Sequence, residues 1–419
     1  MDDDAADAEA PYVPPSGERP GTFRSLRHRN FRLFFMGQLV SNSGNWLTTV
    51  ALVLLVLHRT NSGLAVGAIT ACQFGPILVL SAWAGLIADR SNKRRLLIVT
   101  QTLEMLQSFT LAALAFLPHS PTFAFYLTAA AGGCMLAFDN PVRRSFVTEM
   151  VGVEDVPNAV TLYSALVNAS RIVGPALAGL LIVLVGFGWC FTIDALSYSF
   201  VLVALWMMRP AELRRVPVTP RGKGQVRAGI RYVASVPELW ISFAMLAIVG
   251  TISYNFSVIF PLFIEKGLGG GDGAYTVVYS LFGLGALGAA IVVARRSYVR
   301  FRNVLVGCLA FGLALGLFAA VPSVAVAVPV VLVVGVTSIM YMTATTSIVQ
   351  VRADPQMHGR VLALQTVLLI GTTPIGGPLL GALADVWGPR SIVVIAAVAP
   401  VLAAAFGAVA GRRLLTRAA

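Results

Sequence analysis

Three charged side chains lie within long apolar stretches of the sequence: the acids Glu104 and Asp194 and the base Arg171. A charge at the centre of a bilayer costs about 3 kcal/mol or more, so residues of this kind are usually functional. A carboxyl group in an apolar environment can gain and lose a proton near neutrality, which makes both acids candidates for proton coupling. An arginine there can bind an anion, which makes Arg171 a candidate substrate contact.

Each of these residues also has a structural interpretation. Glu104 can be the partner of a polar neighbour, and Arg171 can form an ion pair with Glu104. Asp194 lies near the start of its apolar stretch, where a side-chain acceptor for the first-turn amides of a helix is common. The sequence leaves both interpretations open for all three residues.

The composition places the chain in a membrane. Of its 419 residues, 57% are hydrophobic and only 12% are charged, which is more apolar surface than a soluble core can bury. The net charge is +12, but the basic residues form short clusters between apolar segments, so we expect no nucleic-acid partner. The four cysteines are far apart within apolar runs, so we expect neither a metal site nor a disulfide framework. No motif requires a cofactor.

Apolar segments of about twenty residues, the length that a helix needs to cross a bilayer, alternate with short polar breaks from Phe31 onward. The sequence predicts an all-α membrane protein in which twelve transmembrane helices, here called spans, form two six-helix bundles. The predicted spans are 31–57, 64–88, 95–117, 122–140, 158–184, 189–208, 238–264, 274–294, 302–320, 324–350, 361–385 and 390–411. The predicted domains are a disordered cytoplasmic tail (1–24), a first bundle (25–208), a cytoplasmic linker (209–237), a second bundle (238–412) and a second tail (413–419).

The distribution of lysine and arginine predicts the orientation, because these residues collect in cytoplasmic loops. Of the 31 such residues, only Arg59, Lys266 and Arg390 fall in the breaks after odd-numbered spans, and Arg171 lies within a span. We therefore expect a multi-pass protein with both termini in the cytoplasm. The excess of arginine over lysine, with abundant alanine and valine, is typical of a GC-rich bacterial genome, so the expected location is a bacterial inner membrane.

The two halves of the chain contain a repeated motif. GPALAG at 174–179 in span five recurs as GPLLGA at 377–382 in span eleven. Glycine and proline allow helices to pack closely and to bend, so we expect span five to pack against the other half at this motif. The predicted helix-packing residues are Gly174, Pro175, Gly179, Gly377 and Pro378. Arg171 has no counterpart in the repeat, where Pro374 occupies the matching position.

A second motif, GLIADRSNKRRLL at 85–97, lies in the break between spans two and three. A carboxylate such as Asp89 can accept from the amides of a helix N-terminus, and the basic residues after it can reach an acidic partner. Asp139 and Arg143 end the predicted span four beside this loop. Charge complementarity predicts that Asp139 pairs with the basic cluster and that Asp89 is directed at span eleven.

This loop motif, together with twelve spans and a long central break, resembles the major facilitator superfamily. The resemblance implies that these contacts form an inner gate that is shut in the outward-open state. The predicted gate residues are Gly85, Asp89, Arg90, Arg94, Asp139 and Arg143. The stretches at 29–52, 138–151, 156–181 and 358–385 resemble the bacterial exporters grouped with the enterobactin exporter and the macrolide efflux pumps. The resemblance implies a secondary transporter, not an enzyme, that exports a drug or siderophore-like metabolite by proton antiport with alternating access. The alternatives are a proton-coupled importer and a non-transporting membrane sensor.

In that superfamily spans one, four, seven and ten line a central cavity. Polar residues on these spans, and on span five beside Arg171, are the candidate substrate contacts. They are Gln38, Asn42, Asn45, Asn168, Arg171, Tyr254, Asn255 and Tyr341. Hydrogen bonding between helices is the alternative role for each of them. The expected partners are a small-molecule substrate, protons and the lipid bilayer, and the expected state is a monomer.

Overall fold

The computed structural model describes residues 22–214, 225–293, 300–354, 357–370, 372–412 and 414. Within these ranges the regular structure is helical, and twelve helical segments are long and apolar enough to cross a membrane. Six of them precede the central linker and six follow it. The predicted fold class and number of spans are confirmed.

The first half of the protein begins with a short 3-10 helix, Arg24–Arg27, and continues with spans one to six. These spans are Arg29–Thr60, Gly63–Arg90, Lys93–Phe116, Thr122–Glu149, Val156–Val185 and Phe187–Met207. Span four therefore continues well beyond its predicted end at residue 140, which changes the depth of its charged residues.

The second half follows a short linker helix, Gln225–Ser235. Span seven consists of the helices Pro237–Ile252 and Phe256–Pro261 and the π-helical turn Leu262–Gly267. Span eleven consists of His358–Ile370 and Thr373–Trp387. The remaining spans are Asp272–Val293, Phe301–Ala320, Val324–Arg352 and Pro389–Ala410.

Tight turns follow spans one, five and eleven. Asn61, directly after span one, has a φ of 48°, a left-handed conformation that asparagine tolerates. Gly186 and Gly388 occupy equivalent positions after spans five and eleven, with φ values of 82° and 84°. Only glycine adopts this backbone readily, so the same turn is built into both halves.

The bundle has two ends, which we call the terminal side and the loop side. The terminal side carries Arg29, Arg90 and Ala410, and the loop side carries the turns at Asn61, Gly186 and Gly388. The two halves pack against each other mainly through span two against span eleven and span five against span eight.

The close contacts between the halves lie toward the loop side. A side chain placed at Gly63 would meet the backbone of Gly381, and one at Gly75 would come within 3.9 Å of Pro374. On span five, Gly179 packs on Thr276. The halves are therefore closed together at the loop side.

Candidate functional site

The centre of the first half contains a buried cluster of charges. The Arg143 guanidinium contacts the carboxylate of Asp139, one helical turn earlier, and lies 3.9 Å from Oε2 of Glu104. It also donates hydrogen bonds to Oε1 of Gln38 at 2.9 Å and to Oδ1 of Asn42 at 3.2 Å. One base thus serves two acids, and two polar side chains of span one hold it in place.

Span three completes this cluster. Thr100 and Gln101 donate to Oδ1 of Asp139, each at 2.9 Å, and Gln101 also donates to Oε2 of Glu104 at 2.9 Å. Glu104 is only 3% exposed and Asp139 is fully buried. Because two buried carboxylates face one guanidinium, ionising both leaves an uncompensated negative charge, which is costly at this depth. A proton on one acid removes that charge.

In this conformation Asp139 pairs with Arg143 and not with the basic cluster after span two, because span four continues to Glu149 and carries both residues into the bundle. The predicted gate belongs to the outward-open state, so its contact between Asp139 and the basic cluster stays a prediction. Arg94 donates to the carbonyls of Leu205 at 2.7 Å and Trp206 at 3.3 Å. It thereby supplies hydrogen bonds to carbonyl groups at the end of span six, in the same half of the protein.

Of the other residues in the loop motif, Gly85 is buried within span two and Arg90 is exposed. The side chain of Asp89 lies outside the described part of the structure. The proposed contact between Asp89 and span eleven therefore stays a prediction.

Asp194 lies in a second polar group, beside the first. Its Oδ2 accepts hydrogen bonds of 2.7 Å from the hydroxyls of Thr48 and Ser108, while Oδ1 is buried without a hydrogen-bond partner. Span six begins at Phe187, two turns earlier, so Asp194 does not cap the first turn of its helix. That structural interpretation is wrong, and Asp194 instead joins three spans.

Glu104 and Asp194 both line a cavity of about 30 Å³. The side chains of Asn45, Gln73 and Gln107 contribute polar groups to its walls. A buried water needs about 10–15 Å³ of such volume and two to four polar partners. The cavity therefore has the size and lining to hold one or two waters that connect the two acids.

Arg171 lies at the boundary between the halves and away from Glu104. Its guanidinium carbon is 5.3 Å from the ring centroid of Trp46, a cation–π contact. The Trp46 ring is in turn 6.2 Å from the ring of Tyr279, which belongs to span eight in the second half. The arginine beside Glu104 is Arg143 and not Arg171, so the alternative ion pair between Arg171 and Glu104 is not formed in this structure. The side chain of Arg171 is exposed.

Span five carries an exposed polar stripe on its terminal half. Thr161, Ser164, Asn168 and Arg171 follow one another at helical spacing, and all four are exposed. The first three donate to the carbonyls four residues earlier, at 2.8–2.9 Å. Polar residues within membrane spans face a bundle interior or a water-filled cavity. We therefore expect this stripe to line a cleft that opens to the terminal side.

The candidates in the second half are engaged in packing. The Tyr254 hydroxyl donates to the carbonyl of Ser338 at 2.7 Å, and Asn255 donates to the carbonyl of Thr251 at 2.6 Å. Tyr341 is fully buried. These contacts match the alternative role, hydrogen bonding and packing between helices, better than they match a substrate surface.

The small residues of the repeat have different neighbours. Gly174, beside Pro175, faces Ser43 and Trp46 of its own half, which corrects the expectation that it meets the other half. Gly179 packs on span eight, and Gly377 and Pro378 face Gly67 of span two. These three residues of the repeat therefore lie between the halves.

Sequence reasoning missed Asp385, which joins the halves at the loop side. Its carboxylate accepts from the Ser62 hydroxyl at 2.8 Å and from the amides of Gly63 at 2.6 Å and Leu64 at 2.9 Å. It thereby satisfies the exposed amides at the start of span two. The signal was present, since GALAD at 381–385 repeats the GLIAD of 85–89.

Twelve spans in two six-helix halves are the architecture of a secondary transporter of the major facilitator type. The family model of transmembrane secretion effectors (MFS_3) matches residues 20–414, and the chain belongs to this family. Its members and relatives are transporters and not enzymes, and the chain is a multi-pass membrane protein of a bacterial efflux type.

Named relatives support this assignment. The chain is 23% identical to a staphyloferrin A transporter of Staphylococcus aureus over 85% of its length and 90% of the relative. It is 26% identical to the multidrug efflux pump Tap of Mycolicibacterium fortuitum over 85% and 89%. It is 23% identical to the enterobactin exporter of Salmonella typhimurium over 86% and 87%.

Solved structures show the same fold. An inward-facing bacterial homologue of the human lysosomal transporter Spinster matches with a TM-score of 0.69 and 16% identity, covering 96% of this chain and 99% of that one. A peptide transporter of the POT family matches with a TM-score of 0.74 and 15% identity, covering 92% and 94%.

Proposed function

We propose that this protein exports a small organic molecule from the bacterial cell in exchange for protons, by alternating access. The observation that carries the proposal is the pair of buried acids Glu104 and Asp194, which face one cavity with room for water and have one nearby arginine, Arg143. Buried carboxylates with too few counter-charges are groups that gain and lose protons in transporters.

The excess of lysine and arginine in the breaks after even-numbered spans supports a cytoplasmic terminal side in a bacterial inner membrane. The loop side then faces outward. With the halves closed at the loop side and the polar stripe of span five exposed, the described conformation is inward-open. The substrate would enter the cleft from the cytoplasm.

Span one connects the acids to the cleft. Asn42 accepts a hydrogen bond from Arg143, and Trp46, one turn further on, packs against Arg171. When Glu104 gains a proton, Arg143 loses one of its two charged partners and its position changes. A shift of Arg143 would move span one, and with it the aromatic wall of the cleft. Proton binding and substrate binding would be coupled in this way.

The gate would alternate between two carboxylates at opposite ends of the bundle. Asp385 holds span two against span eleven at the loop side in this conformation. Asp89 ends the same five-residue motif on span two and would hold span eleven at the terminal side in the outward-open conformation. Each latch would open as the other closes.

The chemistry of the cleft suggests the substrate class. Arg171 presents a positive charge and Trp46 and Tyr279 present aromatic faces at the boundary between the halves. An amphipathic or anionic organic compound fits such a surface. The relatives include a siderophore transporter, a siderophore exporter and a drug efflux pump. We propose that the protein acts as a monomer.

One experiment tests the direction of coupling. The gene is expressed in a strain without its own efflux pumps, and a compound to which it confers resistance is used in proteoliposomes under an imposed pH gradient. We expect protons and substrate to move in opposite directions. Movement of both in the same direction would support a proton-coupled importer and overturn the antiport proposal.

A further inference from the structure

We propose that His58, Glu265 and Asp272 form a binding site for a first-row divalent cation such as Zn²⁺. The three side chains lie at the loop side, outside the acids and the cleft described above. His58 ends span one in the first half, whereas Glu265 and Asp272 lie at the end of span seven and the start of span eight in the second half. We call them the loop-side cluster.

The distances within the loop-side cluster suit a common ion. Nε2 of His58 lies 2.9 Å from Oδ1 of Asp272 and 3.5 Å from Oε2 of Glu265. The three potential ligand atoms all lie within 4.8 Å of one another. Ligands about 2.0–2.2 Å from zinc are separated by roughly 3.0–3.5 Å from each other, so binding needs little movement.

A second observation points to a missing positive charge. Although Nε2 of His58 is close to Oδ1 of Asp272, this oxygen is buried and has no hydrogen-bond partner of acceptable geometry. Oε1 of Glu265 is buried without a partner as well, and the Glu265 side chain is 11% exposed. Two adjacent carboxylates also repel each other until a cation lies between them.

The site is accessible to an ion. A cavity of about 400 Å³ adjoins the cluster, with Gly270 and Gly271 in its wall, and the His58 side chain is 44% exposed. The remaining coordination positions of the metal would be filled by water from this cavity. Lys266 also lines the cavity but donates to the carbonyl of Asn61 at 2.5 Å. Its charge would moderate the affinity for the cation.

An imidazole with two carboxylates suits Zn²⁺ and its neighbours in the first row more than Mg²⁺ or Ca²⁺, which prefer oxygen ligands alone. Because the ligands come from both halves, a bound ion would hold the loop side closed, next to the Asp385 latch. Sequence spacing did not predict this site, since the histidine and the acids lie in different halves of the chain.

The test uses the full-length protein, purified in detergent with its affinity tag removed. Zn²⁺ is titrated by calorimetry, and thermal unfolding is followed at each concentration. We expect one saturable site and a rise in the unfolding midpoint with zinc. His58→Ala and Asp272→Asn should each weaken binding about ten-fold or more, since even indirect changes at metal sites cost 10–100-fold. His119→Ala, an exposed histidine at the same side, is the matched control and should bind as the wild type does.

Equal zinc binding by wild type and His58→Ala would overturn the proposal, and so would no saturable binding by wild type. If lower pH raises the unfolding midpoint of the wild type while zinc does not, the loop-side cluster shares a proton and does not bind a metal ion, and the proposal is wrong. Should either variant fail to fold, Co²⁺ is titrated into wild type, and the ligand-field absorption becomes stronger and shifts to longer wavelength than that of aqueous Co²⁺ only if protein side chains coordinate the ion. None of these measurements requires transport, so they stand apart from the proposed export function.

Discussion

The carboxylate of Asp385 accepts a hydrogen bond from the backbone amide of Gly63 at 2.6 Å, which joins the last turn of span eleven to the first turn of span two. The same carboxylate accepts from Leu64 and from the hydroxyl of Ser62. A negative group at a helix N-terminus is favourable because the first amides have no partner within the helix. This contact gives the closed loop side a specific, charge-dependent latch.

Asp385→Asn should weaken that latch. The variant loses the negative charge and one acceptor oxygen, and hydrogen bonds to charged groups contribute about 1.5–3 kcal/mol. Because the site is partly exposed, we expect about a ten-fold shift of the population away from the closed loop side. The shift is measured as a longer distance between spin labels on cysteines introduced at His119 and Ser323, which lie on loop-side breaks of different halves.

The matched control for this variant is Asp354→Asn, an exposed acid at the terminal side. It should leave the distance unchanged. An Asp385→Asn protein with the wild-type distance distribution and full transport would show that the latch does not influence the conformational equilibrium.

Glu104→Gln should separate proton coupling from substrate exchange. Glutamine keeps the shape of the side chain and can still bond to Gln101, but it cannot release a proton. We expect transport driven by a pH gradient to fall at least ten-fold, while exchange of labelled for unlabelled substrate without a gradient continues. Glu212→Gln, whose acid pairs with Arg209 at the surface, should behave as wild type.

If Glu104→Gln retains gradient-driven transport, the coupling role passes to Asp194, whose Oδ1 is buried without a partner. Asp194→Asn in the same assays then identifies the group. Loss of exchange in Glu104→Gln as well would instead indicate that the side chain is structural.

Arg171→Gln and Arg171→Lys should both weaken substrate binding. Glutamine removes the charge, and lysine keeps it but loses the planar group that lies against Trp46. Cation–π contacts contribute about 0.5–2 kcal/mol, so we expect a KM about three- to thirty-fold higher for lysine. Since Arg171 is exposed, the unfolding midpoint should change little. Unchanged KM values in both variants would show that Arg171 does not bind substrate and only packs against span one.

The spans and the repeat could be predicted from hydropathy and spacing because each depends on local composition. The end of span four could not. Pro141, Arg143 and Arg144 make residues 141–149 look like a loop, but the helix continues because Asp139 and Glu104 neutralise Arg143 inside the bundle. A charge that another span compensates is not visible in a single stretch of sequence.

The latch and the aromatic contact between the halves were not predictable either. Asp385 and Ser62 are far apart in the chain, as are Trp46 and Tyr279, and no periodicity connects them. A charge in an apolar span predicted a role for Arg171, and that role stays a prediction. The partners depend on how the two halves meet, which is a property of the folded bundle.

The packing of Gly179 on Thr276 predicts which conformation tolerates a larger side chain there. A Cβ atom at Gly179 would overlap Oγ1 of Thr276 and would approach its Cβ to 2.6 Å and its Cγ2 to 3.0 Å, closer than such atoms normally lie. Gly179→Ala should therefore destabilise the closed loop side and slow transport, and Thr276→Ala in the same chain should partly restore both because it removes Oγ1 and Cγ2. Gly288→Ala on span eight, where the space is open, is the control and should have little effect. The spin-label distance across the loop side and the transport rate are measured for wild type, Gly179→Ala, Thr276→Ala, the double variant and Gly288→Ala. Equal effects of Gly179→Ala with and without Thr276→Ala would show that the two residues do not interact.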